Sequence, residues 1–400
     1  MSASPLPSAL TALLSWVLVA TSLACADPAR PALARPPLAR ELALAPPPGE
    51  PATVSAPEPA LSTAPCEAPT AVARDLDDRL LIGCAEGGGL WIAARAAAPD
   101  RRRPWRRLID SHALDVQAMA EGPEGVLVTG RDWDGGALAW RVLPTATVVA
   151  RALVHLDDLA ALDGTDGIDH RSSGRAIAGD GARLLLSFEG GTRLALSEDD
   201  GATWSLTEAP APDEEQDEHN ALIAVAEGFV SAGAPRGGEP TVYRPPEGER
   251  VPAAAHTVVA ALQGEVAALT ALGVGETLLA GGAGFTEDGD LIGFLARSTD
   301  GGQSWGPLAW DPDLLPEAIG ADEDGRHVVV VGARATEPRE GFLLLSDDGA
   351  ARFSPYYEGL PALHAVTVGE GRFAAVGGGV VVEGAVGEAA LGLATPARRR

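Results

Sequence analysis

The 400-residue chain contains no lysine. All 30 of its basic residues are arginine, set against 56 acidic ones, and the formal net charge is −26. Such a balance repels phosphate backbones and anionic membrane surfaces, which argues against nucleic-acid partners and against membrane contact through protein charge. Aromatic residues are only 4% of the chain, cysteines number three, and seven histidines are scattered without metal-ligand spacing. G-x-S-x-G, H-E-x-x-H and a P-loop are all missing, so the common nucleophile-elbow, zincin and nucleotide-phosphate chemistries have no motif here. What the chain does have is 46% hydrophobic residues and 48 glycines. Val, Leu and Ala runs broken by Gly suit many short strands joined by tight turns.

Residues 9–24, ALTALLSWVLVATSLA, form an apolar run that stops at Cys25. It is too short and too early for a transmembrane span and fits the apolar region of a signal peptide, although no Lys or Arg precedes it. Two processing sites overlap. Ser-Leu-Ala-Cys resembles a bacterial lipobox, which implies a lipid on Cys25, and Ala24-Cys25-Ala26 also fits ordinary signal peptidase. Residues 26–65 follow as a Pro/Ala-rich linker without helical or strand period, expected to be a disordered, extended tether. A stiff tether behind a lipid anchor favours the lipoprotein reading, with the envelope as location, periplasmic or outer-surface. Plain secretion is the alternative. Cys66 and Cys84 remain, either as a disulfide in an oxidising compartment or as two buried thiols.

From residue 66 to 400 one unit recurs: a short apolar strand, a Gly-rich loop, then a second strand. It starts at Arg79, Gly125, Arg183, Gly228, Thr277, His327 and Arg372, at intervals of 45 to 58 residues. Another strand-like stretch precedes each unit, and a fourth often follows. Four strands at this period predict one all-β domain, a seven-bladed β-propeller. The last unit is abbreviated and the first lacks a clear outer partner, so the two ends are expected to pair and close the ring.

Within this grid, SEDDGATW (Ser197 to Trp204) and STDGGQSW (Ser298 to Trp305) lie 101 residues apart. Worn copies are APDRRRPW from Ala98 and SDDGAARF from Ser346. This pattern resembles the Asp-box, or bacterial neuraminidase repeat, of the sialidase-like superfamily. The resemblance implies a structural turn between third and fourth strands, built from Ser197, Asp199, Gly201, Thr203 and Trp204 and from Ser298, Asp300, Gly302, Ser304 and Trp305. Each Asp accepts backbone N–H groups, each Gly permits positive φ, and each Trp packs between blades. It also implies that function sits on the opposite rim.

That rim collects the loops between second and third strands. They supply Arg131, Asp132, Trp133 and Asp134, then Arg236, then Phe285, Asp288 and Asp290, then Arg334. Trp133 between acids is either an exposed stacking platform or a ring folded under its own loop. Arg131, Arg236 and Arg334 fall in alternate blades and could converge on an anion. The 58-residue interval contains an insertion near His155 to Arg171, where Asp163, Asp166, Asp169 and His170 could offer oxygen ligands for a hard cation such as calcium, although the spacing does not match an EF-hand loop. A plain hydrophilic loop is the other reading. Sialidases of the resembled family use an arginine triad, a Tyr/Glu pair and an Arg-Ile-Pro segment. Arg-Ile-Pro is absent here, and tyrosine is limited to Tyr243, Tyr356 and Tyr357. Xyloglucan-type glucanases resemble two such propellers facing each other, and one is present. The photosystem assembly propellers, which also carry these boxes, point to a scaffold class. The resulting expectation is a non-catalytic, monomeric binding propeller for a glycan or protein partner, without cofactor. A glycoside hydrolase with carboxylates on the loop face is the alternative.

Overall fold

The apolar runs form strands whose partners are set by the turns between them. The structure, a computed structural model, describes residues 60–387 except 94–104, 110, 112, 144–148, 163–171, 189–193, 208–216, 227, 236–237, 246–248, 253, 274–275 and 337–338. The described strands make seven antiparallel four-stranded sheets.

The first strand, β1 (Ala60–Thr63), belongs to the last blade. Blade 1 holds β2 (Pro69–Arg74), β3 (Leu80–Cys84), β4 (Gly89–Ala93) and β5 (Trp105–Arg107). Blade 2 holds β6 (Leu114–Gly122), β7 (Gly125–Asp132), β8 (Ala137–Leu143) and β9 (Val149–His155). Blade 3 holds β10 (Gly174–Asp180), β11 (Arg183–Phe188), β12 (Ala195–Ser197) and β13 (Ser205–Leu206). Blade 4 holds β14 (Asp217–Val225), β15 (Gly228–Pro235), β16 (Thr241–Arg244) and β17 (Ala254–Thr257). Blade 5 holds β18 (Gln263–Ala271), β19 (Leu278–Phe285), β20 (Leu291–Ser298) and β21 (Gly306–Pro307). Blade 6 holds β22 (Leu314–Ala321), β23 (Val328–Arg334), β24 (Glu340–Ser346) and β25 (Ser354–Pro361). Blade 7 holds β26 (Ala365–Gly369), β27 (Arg372–Gly377), β28 (Val380–Ala385) and, outermost, β1.

The first strand of each sheet touches the first strand of the next, and β26 touches β2, so the sheets form a closed ring around an axis. Seven hydrophobic clusters follow, each straddling two neighbouring blades. The core is therefore a circle of interblade layers. Second strands such as β23 are covered on both faces, which is why VVVV reads as a continuous apolar run rather than an alternation.

Closure uses the chain's N-terminal side. Ala60–Thr63 pairs antiparallel with β28, and Ala64 N–H donates to Gly379 O at 2.9 Å. The propeller thus begins by Ala60, ahead of the 65/66 boundary drawn from composition. Cys66 and Cys84 form a disulfide that ties the incoming chain to β3. At the same seam Asp78 accepts Arg74 Nη1 at 2.8 Å and pairs with Arg372 of blade 7.

The two Ser-x-Asp turns join third to fourth strands in blades 3 and 5. Gly201 N–H and Gly302 N–H each donate to the box serine Oγ at 2.8 Å. Thr203 N–H donates to Asp199 Oδ1 at 2.7 Å and Thr203 Oγ1 to Asp199 Oδ2 at 2.7 Å. Ser304 repeats both bonds to Asp300 at 2.9 and 2.6 Å. Gly201 and Gly302 sit at φ 80° and 91°, and Trp204 and Trp305 pack into the layers beside their blades. SDDGAARF builds the same turn in blade 6: Ala350 N–H reaches Ser346 Oγ and Arg352 N–H reaches Asp348 Oδ1, both at 2.9 Å. Its backbone is intact, with Ala350 at φ 65°. Missing are the hydroxyl bond to the Asp and the indole N–H bond that Trp204 and Trp305 make and Phe353 cannot. Most of APDRRRPW lies outside the described residues.

The insertion after blade 2 opens with a short helix, α1 (Leu156–Ala160), whose Leu156 and Leu159 are buried in the layer between blades 2 and 3. That half is anchored rather than plainly hydrophilic. Asp163, Asp166, Asp169 and His170 lie outside the described residues, as do Cys25 and Arg236.

Candidate functional site

Antiparallel strands alternate in direction, so second-to-third loops and blade-to-blade connections share one face. The Ser-x-Asp turns share the other. Near the loop face, the innermost strand of blades 1 to 6 carries a register shift at one equivalent residue. The extra residues are Thr70, Gln117, Arg175, Asn220, Ala267 and Glu317. His364, just ahead of β26, is the counterpart in blade 7. A bulge sharpens local twist and re-aims a side chain. Here the residue before each position is buried between blades, while the residue at the position is exposed or half-exposed around the axis. Glycines on the second strand make room for the bulge. A Cβ on Gly282 or Gly332 would overlap the Glu265 or Leu315 carbonyl of the bulged strand.

The ring is stitched from blade to blade. Thr70 Oγ1 donates to Val116 O at 2.5 Å. Arg175 Nε donates to Asn220 Oδ1 at 3.2 Å, and Asn220 Nδ2 donates to Glu265 Oε2 at 2.6 Å. His364 Nδ1 pairs with Glu317 Oε2, and that bond holds the imidazole above its ordinary pKa against partial desolvation. The axis mouth therefore presents donors, acceptors and both charge signs to a polar solute.

Beside this ring stands Trp133, 50% exposed. Its indole N–H donates to Asp115 Oδ2 at 2.8 Å, and Asp115 Oδ1 accepts Gly87 N–H of blade 1 at 2.5 Å. Arg131 lies over the Trp133 ring at 4.6 Å and donates to Ser172 O of blade 3. Asp132 Oδ1 accepts Ser111 Oγ at 2.8 Å and Asp134 N–H at 3.2 Å. Trp133 is thus a platform fixed by three blades. Arg131 is buried and engaged in this seam, so it is not poised with Arg334 around an anion.

The other expected residues stand apart from this cluster. Phe285 is 45% exposed in blade 5, where Thr286 and Asp290 close their own turn through backbone and hydroxyl bonds. Asp288 is in that turn. Arg334 ends β23 in blade 6. Among the described residues, no group of three or more His, Cys, Asp or Glu could hold a metal ion.

Sequence reading missed the axial ring because its residues differ in every blade. One signal was available. Each position is followed by Ala, from Ala71 to Ala365, and each pair lies eight to ten residues ahead of the repeating unit.

No family model and no curated protein matches the chain. Solved structures do. One is a catalytically inactive virginiamycin B lyase from Staphylococcus aureus with quinupristin, which superposes with a TM-score of 0.51 at 12% identity. The match covers 82% of this chain and 99% of that one, and at this identity it is a likeness of fold.

Proposed function

We propose that this chain is an exported binding propeller of the Asp-box family, lipid-anchored at Cys25 and held at the envelope by its Pro/Ala-rich tether. Its ligand is a glycan, taken at the loop face with Trp133 as the stacking platform. The observation that carries this reading is the held indole. Half its surface meets solvent, while its N–H and one ring face are already fixed by Asp115 and Arg131. A rigid aromatic surface ringed by polar groups binds with little ordering cost, and the neighbouring axial ring supplies hydrogen bonds for hydroxyls. The Ser-Asp bonds repeated in three turns support the family assignment.

Glycan titration of the wild type and Trp133→Ala tests the reading. The variant is expected to lose affinity by roughly tenfold or more, about 1.4 kcal/mol. Equal affinity in the two proteins, or a protein partner that binds without Trp133, would sink the glycan assignment.

A glycoside hydrolase is the second reading, and one observation favours it. Desolvation pushes the Glu121 carboxyl up, the direction a general acid needs. Yet Glu121 Oε1 is held by Thr367 Oγ1 at 2.5 Å and Arg74 N–H at 2.6 Å, at the end of β6 away from the loop face. Turnover of aryl glycosides that vanishes in Glu121→Gln would establish this reading over the first.

A further inference from the structure

Between blades 5 and 6 the interblade layer is incomplete. Trp204 and Trp305 fill the aromatic position of their turns, but blade 6 has Phe353 there. A half-open cavity of about 270 Å³ lies beside it, lined by Trp310, Phe342, Phe353 and Tyr357 with Leu314 and Leu344. Trp310 meets Phe342 and Phe353 edge-on, with ring centroids 6.0 and 5.9 Å away. Its N–H is engaged by Leu314 O at 2.8 Å. Asp311 also lines the cavity, and its Oδ1 accepts Asp313 N–H at 3.1 Å within its own turn. Arg334 borders the cavity at the loop-face end of β23. It makes no ion pair or side-chain hydrogen bond among the described residues, and neither does the Tyr357 hydroxyl.

We propose that this cavity is a binding site for a small aromatic carboxylate, its ring among the aromatic walls and its carboxylate on Arg334. The volume is just under the roughly 300–1,000 Å³ of typical small-molecule pockets, which suits one or two fused rings. The walls are mainly aromatic, which favours a flat ring over the many-sided hydroxyl set of a sugar acid. Arg334 supplies planar, two-pronged recognition of a carboxylate and repels a cation. The site is separate from Trp133 and does not rest on the glycan reading.

Calorimetric titration of the full chain with indole-3-acetate tests the proposal, with indole-3-acetamide, glucuronate and indole-3-ethylamine as comparison probes. Saturable binding of indole-3-acetate is expected, weaker by roughly tenfold for the amide and for Arg334→Gln. Glucuronate and the amine are expected to bind more weakly still. Trp133→Ala should leave indole-3-acetate binding unchanged, which separates this site from the platform. Absence of saturation up to about 10 mM, a range that covers weak fragment affinities, would overturn the proposal. So would equal binding of acid and amide, or indifference to Arg334→Gln.

Discussion

His219 should make the propeller acid-sensitive in a calculable way. It sits on β14, the innermost strand of blade 4, and is 1% exposed. Its Nδ1 lies 2.9 Å from Ser231 Oγ, and its ring meets Tyr243 edge-on at 5.0 Å. Nε2 has no partner among the described residues. Burial without a counter-charge penalises the imidazolium and pushes the pKa from 6.5 down to about 4. An unfolded chain takes up this proton as pH falls below 6.5, whereas the folded one resists until about 4. Stability is therefore complete above pH 6.5 and is lost as pH falls towards 4. The full gap is worth about 3 kcal/mol, and by pH 5 about 2 kcal/mol has gone. In a domain of this size that is about 3 °C of Tm. The assay is thermal unfolding of wild type and His219→Gln at pH 8 and pH 5. Other titrating groups act in both proteins, so the difference between their two shifts isolates His219. Wild type should lose about 3 °C more than the variant. Equal losses would refute the reasoning.

Three further outcomes follow from the same geometry. Arg352→Thr should add to the third Ser-Asp turn the hydroxyl bond seen at Thr203 and Ser304, raising stability by about 1 kcal/mol in urea titration. Asp300, held down to about 2 mainly by the Ser304 hydroxyl and N–H, contributes stability that is present above 3.8 and lost as pH falls towards 2. Carboxylate NMR should read that value, and Ser304→Ala should raise it. Gly332→Ala places a Cβ against the Leu315 carbonyl just ahead of the blade 6 bulge, at an expected cost of about 2–3 kcal/mol in the same urea titration.

The repeat was legible because strands buried on both faces leave long apolar runs, and Arg79, Thr277 and His327 each fall one residue before β3, β19 and β23. Turn chemistry was legible because Asp199 and Asp300 each stand two residues before the glycine, Gly201 or Gly302, that supplies the positive φ of the turn. The closing strand was not. Ala60–Thr63 is exposed along its length and emerges from Pro/Ala-rich sequence, so neither periodicity nor composition marks it, and only its pairing with β28 defines it. The axial ring escaped because a bulge is a register event, visible only once both strands are paired. Trp133 was noticed as unusual, but its fixing depends on Asp115 and Gly87, which come from other strands and another blade.

The central claim is that the loop face binds and the Ser-Asp turns only support. Amide hydrogen exchange with and without bound glycan tests it directly. Protection is expected at 85–88, 113–117 and 133–136, with residues 197–204 and 298–305 unchanged. Protection centred on the two turns, with the loop face unaffected, would contradict the account.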